Sequence, residues 1–265
     1  MKHNMIYHII RAAKLGGEEI MTYFWQHLDI TGKGSARNFR TQADLASEAA
    51  VLGELKKHFL DYNYYSEEKG WEKNDSEYTF VIDPLDGTNN FSLGMPMFSV
   101  SIALQKGDET IAAVVYHPVI NQTFYAEKGK GAYCGDKKLA VNDVTDLSHV
   151  TLSFTCGYDA DPTLTEKVTG VAYGNSFKRL LTNWGPAFEY GLLAAGKLEA
   201  VLCFDNDIYD NLAGKLLVKE SGGVIVRIDG SPEADEASVR FIAANNSEVA
   251  QQLATLFSNV DGLDL

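Results

Sequence analysis

Asp83 and Asp86 stand three residues apart within the run YTFVIDPLDGTNNF, residues Tyr78 to Phe91. Two carboxylates this close repel unless a cation lies between them. Hard Mg²⁺ suits such a pair, because it takes one or two carboxylates and leaves its other positions to water and phosphate oxygens. The plain alternative is an Asx turn in which both side chains only cap backbone amides. Gly87 allows a tight turn or a close approach to a ligand, and Thr88 and Asn89 suit a helix start. The β-branched and aromatic run Tyr78 to Ile82 predicts a buried strand that stops before Pro84, which has no N–H for a ladder. Two carboxylates, a glycine and a hydroxyl thus gather at the C-terminal tip of a strand, where α/β folds place their ligands.

The nine residues DPLDGTNNF closely resemble the D-P-[ILV]-D-G-T-x-N-[FY] motif of the inositol monophosphatase family of Mg²⁺-dependent phosphatases. Other stretches follow in that family's order. Lys33 and then Thr41-Gln42-Ala43-Asp44 resemble its Lys and T-x-x-D. Ser66-Glu67-Glu68 resembles its G-E-E. The stretch from Tyr209-Asp210 to Glu220-Ser221-Gly222-Gly223 resembles W-D-x-A-x-G followed by E-[AS]-G-G.

The resemblance implies an α/β (α+β) fold, a layered αβαβα sandwich of the inositol monophosphatase and fructose-1,6-bisphosphatase type. It also implies Mg²⁺-dependent hydrolysis of a small phosphate monoester, with water attacking phosphorus in line at a two- or three-metal site. Asp83 would bridge two metals, with Glu67 and the Leu85 carbonyl completing one site and Asp86 and Asp210 the other. Asp44 would pair with Thr88 to orient and deprotonate the water, and Lys33 would help to position water or phosphate. The amides of Gly87 and Thr88 would hold phosphate oxygens. Without the resemblance the same residues have plainer roles: Thr41 an N-cap with Asp44 its first-turn acid, Glu67-Glu68 a solvated turn, and Asp210 an N-cap.

The substrate side departs from the family pattern. Trp184-Gly185-Pro186 stands where relatives carry G-[ST]-A, so an indole either narrows the pocket or simply packs. Cys203 falls at the place of a glutamate that binds inositol hydroxyls, and a thiol is a poor partner for a polyol. Asp205 or Asp207 would supply the acid after a small shift, and either would suit an amine-bearing substrate such as histidinol phosphate. Arg179 lies two residues out of register with the family arginine. Fructose-1,6-bisphosphatase, histidinol-phosphatase and 3′(2′),5′-bisphosphate nucleotidase activities are therefore alternatives. A weakly active homologue that binds a protein partner is an alternative of another class.

The elements that must position these residues are readable from periodicity. Apolar residues from Asn4 to about Gln26 recur at helical spacing, weakened only by Gly16-Gly17. A second helix runs from Thr41 through Phe59, and Tyr62 to Tyr65 forms a strand leading into Glu67. Strands at Phe98 to Gln105, Thr110 to Tyr116 and Gln122 to Ala126 follow the motif. A polar stretch from Val141 to His149 divides the chain into halves, 1–145 and 146–265, packed as one unit. The second half alternates: strands Thr151 to Thr155, Phe177 to Leu181, Leu198 to Phe204, Val224 to Ile228 and Arg240 to Ala244, with helices from Pro186 to Ala195, after Asp210, and from Ser247 to Phe257.

Composition narrows the function class. The chain has 265 residues, 45% of them hydrophobic, with 23 basic against 36 acidic side chains and a formal charge of −13. That balance argues against nucleic-acid duplex and anionic membrane as partners, and leaves phosphate to be met by metal ions. Cys134, Cys156 and Cys203 are widely spaced and suggest neither disulfides nor a zinc site. His3, His8 and His27 have no ligand-forming residue at i+4, so surface or packing roles are expected of them. No signal-peptide apolar region or membrane-length run is present, and a cytoplasmic enzyme is expected. A homodimer follows from the resemblance only.

Overall fold

The computed structural model describes residues 5–258 and Val260. His3 and the expected helix start at Asn4 lie outside them. In chain order the elements are α1 (Met5–Tyr23), β1 (Thr31–Gly32), β2 (Phe39–Arg40), α2 (Gln42–Lys56), β3 (Asn63–Ser66), β4 (Gly70–Glu72), β5 (Tyr78–Asp86) and α3 (Thr88–Ser92). Next come β6 (Ser99–Lys106), β7 (Glu109–His117), β8 (Gln122–Glu127), β9 (Gly131–Cys134) and β10 (Lys137–Lys138). The second half holds β11 (Thr151–Cys156), α4 (Leu164–Gly174), β12 (Arg179–Leu181), α5 (Pro186–Ala194), β13 (Ala200–Phe204), α6 (Ile208–Glu220), β14 (Val224–Arg227), β15 (Arg240–Ala244) and α7 (Ser247–Phe257).

These elements stack in five layers. Helices α1 and α2 cover one face of an eight-stranded sheet ordered β10-β9-β8-β7-β6-β5-β3-β4. Against its other face lie α5 and α6, which are also covered by a five-stranded sheet ordered β12-β11-β13-β15-β14. Helices α4 and α7 close the far side. This is the αβαβα sandwich. Because α5 and α6 are buried from both sides, apolar residues such as Ala187, Phe188, Leu193, Leu212, Ala213 and Leu217 are all inside, and the polar Glu189, Asn211 and Lys215 are buried with them.

Two glycines expected to weaken α1 are instead its points of closest approach. A Cβ at Gly16 would come 2.7 Å from Ser47 Oγ and Val51, and one at Gly17 would come 2.5 Å from the Tyr116 ring. Small residues there let the helix lie close against both α2 and β7. That contact matters for the site, since α2 carries Asp44 at its first turn.

Candidate active site

The DPLD segment remains part of strand β5, which corrects the expectation that the strand stops before Pro84. Asp83 pairs with Ser101 and Asp86 with Ser99, so three steps along β5 match two along β6. Pro84 falls in that bulge, where its missing N–H removes no ladder bond. The Leu85 amide donates to Asp83 Oδ1 at 2.9 Å, and Ser47 Oγ donates to the Pro84 carbonyl at 2.7 Å. An Asx turn is therefore present, but it uses only one of Asp83's two oxygens. The bulge aims both carboxylates into one cleft.

Gly87 then adopts φ 88°, and a Cβ there would sit 2.7 Å from the Met97 carbonyl. Only glycine fits this left-handed, crowded corner, which turns the chain into the short helix α3. The first helical residue, Thr88, places its hydroxyl 3.0 Å from Asp44 Oδ1 and 3.0 Å from the Leu85 carbonyl. The other oxygen of Asp44 accepts from the Thr41 amide and hydroxyl, both at 2.7 Å, completing a capping box. Capping thus fixes Asp44 in the rotamer that meets Thr88.

Glu67 arrives from β3, whose parallel pairing with β5 is extended by a 3.1 Å bond from the Glu67 amide to the Ile82 carbonyl. Its carboxylate accepts from Lys33 Nζ at 2.8 Å. Lys33 also bonds Glu68, which Arg40 reaches at 3.3 Å. From the opposite side Asp210 enters on the first turn of α6. Oxygens of Asp83, Asp86 and Asp210 all lie within 4.8 Å of one another. Asp86 is held by Ser99 Oγ at 3.0 Å and by the Ala187 amide at 3.1 Å, so it also caps the N-terminus of α5.

Burial and mutual repulsion push these acids upward. Asp83 and Asp210 are lifted well above the ordinary carboxylate range by burial, and the charges of neighbouring acids add to it. Burial raises Asp86 to about 8, against its bond from Ser99, with the nearby Glu189 charge adding to the rise. Glu67 is raised to about 7 by burial despite Lys33, and Asp44 to about 6 by burial despite Thr41. A cluster of acids this strongly disfavoured as anions calls for cations, and its donors are all oxygens. That set fits a hard divalent ion and not a thiolate- or imidazole-seeking one.

A cleft is lined by Glu67, Asp83, Leu85, Asp86, Gly87, Thr88, Trp184 and Asp210 together with Tyr158, Asp207 and Tyr209. Asp44 lies behind Thr88, and Lys33 sits beside Glu67. Three expected substrate contacts, Lys33, Cys203 and Asp205, are not among the residues that line this cleft. Cys203 has no exposed surface; it is on the inner face of β13, with its thiol bonded to Asn211 Oδ1 at 3.4 Å, and burial raises it to about 12. Asp205 takes a bidentate grip from Arg240, at 2.6 and 2.8 Å, and is spent on that pair. Asp207, the other acid weighed at sequence level, does line the cleft and accepts from the Tyr209 hydroxyl at 2.8 Å. Sequence reasoning missed Tyr158, which comes from the β11–α4 loop and accepts a 3.1 Å bond from Asn89 Nδ2. Nothing local to Tyr158 marks it; only the sandwich brings that loop over the motif.

A five-layered sandwich with a buried, all-oxygen acidic centre at a strand tip defines a metal-dependent phosphohydrolase class. Comparison with known proteins is consistent with this. A sequence model described as the inositol monophosphatase family matches residues 1–261. An inositol-1-monophosphatase of Caulobacter vibrioides is 32% identical over 261 residues, covering 92% of this chain and 97% of that one. A Nus factor SuhB of Pasteurella multocida is 34% identical over 229 residues, with 83% and 84% covered. The crystal structure of extragenic suppressor protein SuhB from Bartonella henselae superposes with a TM-score of 0.87 at 26% identity, covering 96% of this chain and 98% of that one. The chain belongs to the inositol monophosphatase family and is a phosphoric monoester hydrolase.

Proposed function

We propose that the protein hydrolyses a small phosphate monoester with Mg²⁺ as its metal, and that Glu67, Asp83, the Leu85 carbonyl, Asp86 and Asp210 hold the ions. The observation that carries this reading is the convergence of those five residues with Thr88 in one cleft, where the Thr88 hydroxyl connects to Asp44 behind it. When bound, Mg²⁺ supplies positive charge against phosphate and leaving alkoxide and acidifies water. The protein's own groups do the rest. Thr88, by donating to Asp44, keeps lone pairs that accept a proton from water, and Asp44 is the base at the end of that relay. The amides of Gly87 and Thr88 orient phosphate oxygens at the start of α3. Lys33 braces Glu67 and presents a positive charge at the cleft edge.

On the leaving-group side the walls are Tyr158, Trp184, Asp207 and Tyr209. They continue into a second pocket lined by Arg37, Asn89, Cys156, Tyr158, Thr182 and Trp184. With Cys203 and Asp205 withdrawn, no acid other than Asp207 is proposed to meet the hydroxyls or amine of the substrate. An assay of phosphate release tests the reading on inositol 1-phosphate, fructose 1,6-bisphosphate, histidinol phosphate, a 3′,5′-bisphosphate nucleotide and an aryl phosphate. Each is run with Mg²⁺, with chelator, and on Trp184→Ala. Mg²⁺-dependent release is expected, with the substrate ranking changed by Trp184→Ala. No release from any ester, with Mg²⁺ still bound by calorimetry, would favour the second reading, a protein-binding regulator, which the similarity to a Nus factor supports. A cytoplasmic homodimer is proposed from the family resemblance, and sedimentation measures the assembly.

A further inference from the structure

A second group of metal-ligating side chains lies on the outer helical layer. Glu54 on α2 and His58, just past its end, are separated by four residues and so share one face. His8 of α1 faces them. The His8 and His58 rings stack with centroids 3.7 Å apart and planes at 28°, and His58 Nε2 lies 3.5 Å from Glu54 Oε1. One ligand atom from each of the three residues lies within 4.8 Å of the others. Glu54 is 1% exposed, yet it stays ionised: burial pushes its carboxyl up, but the bond from Lys57 and the charge of Arg11 outweigh this and hold it below the usual range. Glu54 is ten residues beyond Asp44 on the same helix, about 15 Å at the helical rise, so the cluster is separate from the acidic cleft.

We infer that His8, Glu54 and His58 form a binding site for Zn²⁺ or a similar transition ion, clamping α1 to α2. Two imidazoles and one carboxylate are a three-ligand zinc set that leaves a fourth position to water, and imidazole selects against Mg²⁺. The groups now on Glu54 do not block this. Arg11 and Lys57 approach at 3.1 and 3.0 Å, but both side chains are more than half exposed, so each can swing out to water once a bound cation takes over the balancing of the buried Glu54 charge. The observed spacing of up to 4.8 Å is wider than the edge of a zinc tetrahedron, roughly 3.3 Å from its bond lengths. His58 lies past the last turn of α2 and can rotate to close that gap. A site needing such closure binds more weakly than a preformed structural zinc site.

The test titrates Zn²⁺ into the full-length protein under millimolar Mg²⁺, which occupies the oxygen centre, with a chromophoric chelator as competitor. Zinc-edge X-ray absorption reads the ligands. The expected result is one Zn²⁺ with imidazole in its shell, weakened at least about tenfold in His58→Ala and in His8→Ala. His58 is exposed, so its alanine variant retains the fold, which circular dichroism checks. The same Zn²⁺ isotherm in wild type and His58→Ala, or a shell of oxygens only, would overturn the assignment.

Discussion

Removing divalent ions should make the protein's stability depend steeply on pH. Asp86 is the group from which the size can be worked, since it is 2% exposed and its carboxyl is raised from 3.8 to about 8. A carboxyl whose folded value lies above its unfolded one holds its proton more tightly in the fold. The stability it contributes is complete below about pH 4 and is lost as pH climbs through about 8. Between about pH 5.5 and 8.5 that loss is roughly 3 kcal/mol for Asp86 alone, from about 1.4 kcal/mol per pH interval over which only the folded state is protonated. Glu67, raised to about 7, has the same sign. For a chain of this size roughly 3 kcal/mol corresponds to a fall in Tm of about 6 to 12 °C.

The assay is thermal unfolding followed by calorimetry at both pH values, in chelator and in millimolar Mg²⁺. In chelator Tm should fall as pH rises. In Mg²⁺ most of the fall should vanish, because an ion bound to the ionised carboxylates stabilises the native state alone. Asp86→Asn, which has no proton to lose, should show a smaller fall in chelator than the wild type. Equal Tm at both pH values in chelator, or an undiminished fall in Asp86→Asn, would refute the claim that buried like charges strain the empty cluster.

Three further outcomes are expected. Asp83→Asn should abolish Mg²⁺-dependent phosphate release while leaving far-UV circular dichroism unchanged; measurable turnover at the wild-type rate would remove Asp83 from the proposed metal set. Thr88→Val keeps the shape of α3 but deletes the hydroxyl between water and Asp44, and kcat should fall by about 10² to 10⁴, the range for a lost acid–base group. KM should change little, and a pure KM effect would count against the relay. Cys203→Glu, which sequence alignment alone would recommend for restoring a polyol contact, should instead unfold or severely destabilise the protein, because position 203 has no exposed surface and the larger carboxylate would be buried against Tyr190 and Asn211, with the nearby Lys215 ammonium already bonded to the Glu236 and Ser238 carbonyls. Denaturant melting measures this, and a stable, more active variant would show that the pocket reaches β13.

What could be read from the sequence follows how locally each feature is determined. Asp83, Asp86, Gly87 and Thr88 fall in one short stretch, so nearness along the chain brings them together and the bulge in β5 only aims them, and Asp44 is fixed by a capping box complete within four residues. Glu67 and Asp210 sit at the ends of elements whose order sets their destination. Cys203 and Asp205 were misjudged because their orientation is decided elsewhere. The antiparallel register of β13 with β15 pairs Cys203 with Phe241 and turns its thiol into the core, while Arg240 of β15 captures Asp205 in a left-handed conformation, φ 58°. Neither fact has a signal within the DNDIYD stretch. His8 shows the same limit: a search for ligands at i+4 on its own helix finds none, since Glu54 is on α2 and His58 just past its end, and both come to it because Gly16 lets the two helices pack closely. Chemistry confined to one turn can therefore be read from spacing. Chemistry assembled across layers depends on registers and close approaches that only the folded chain specifies.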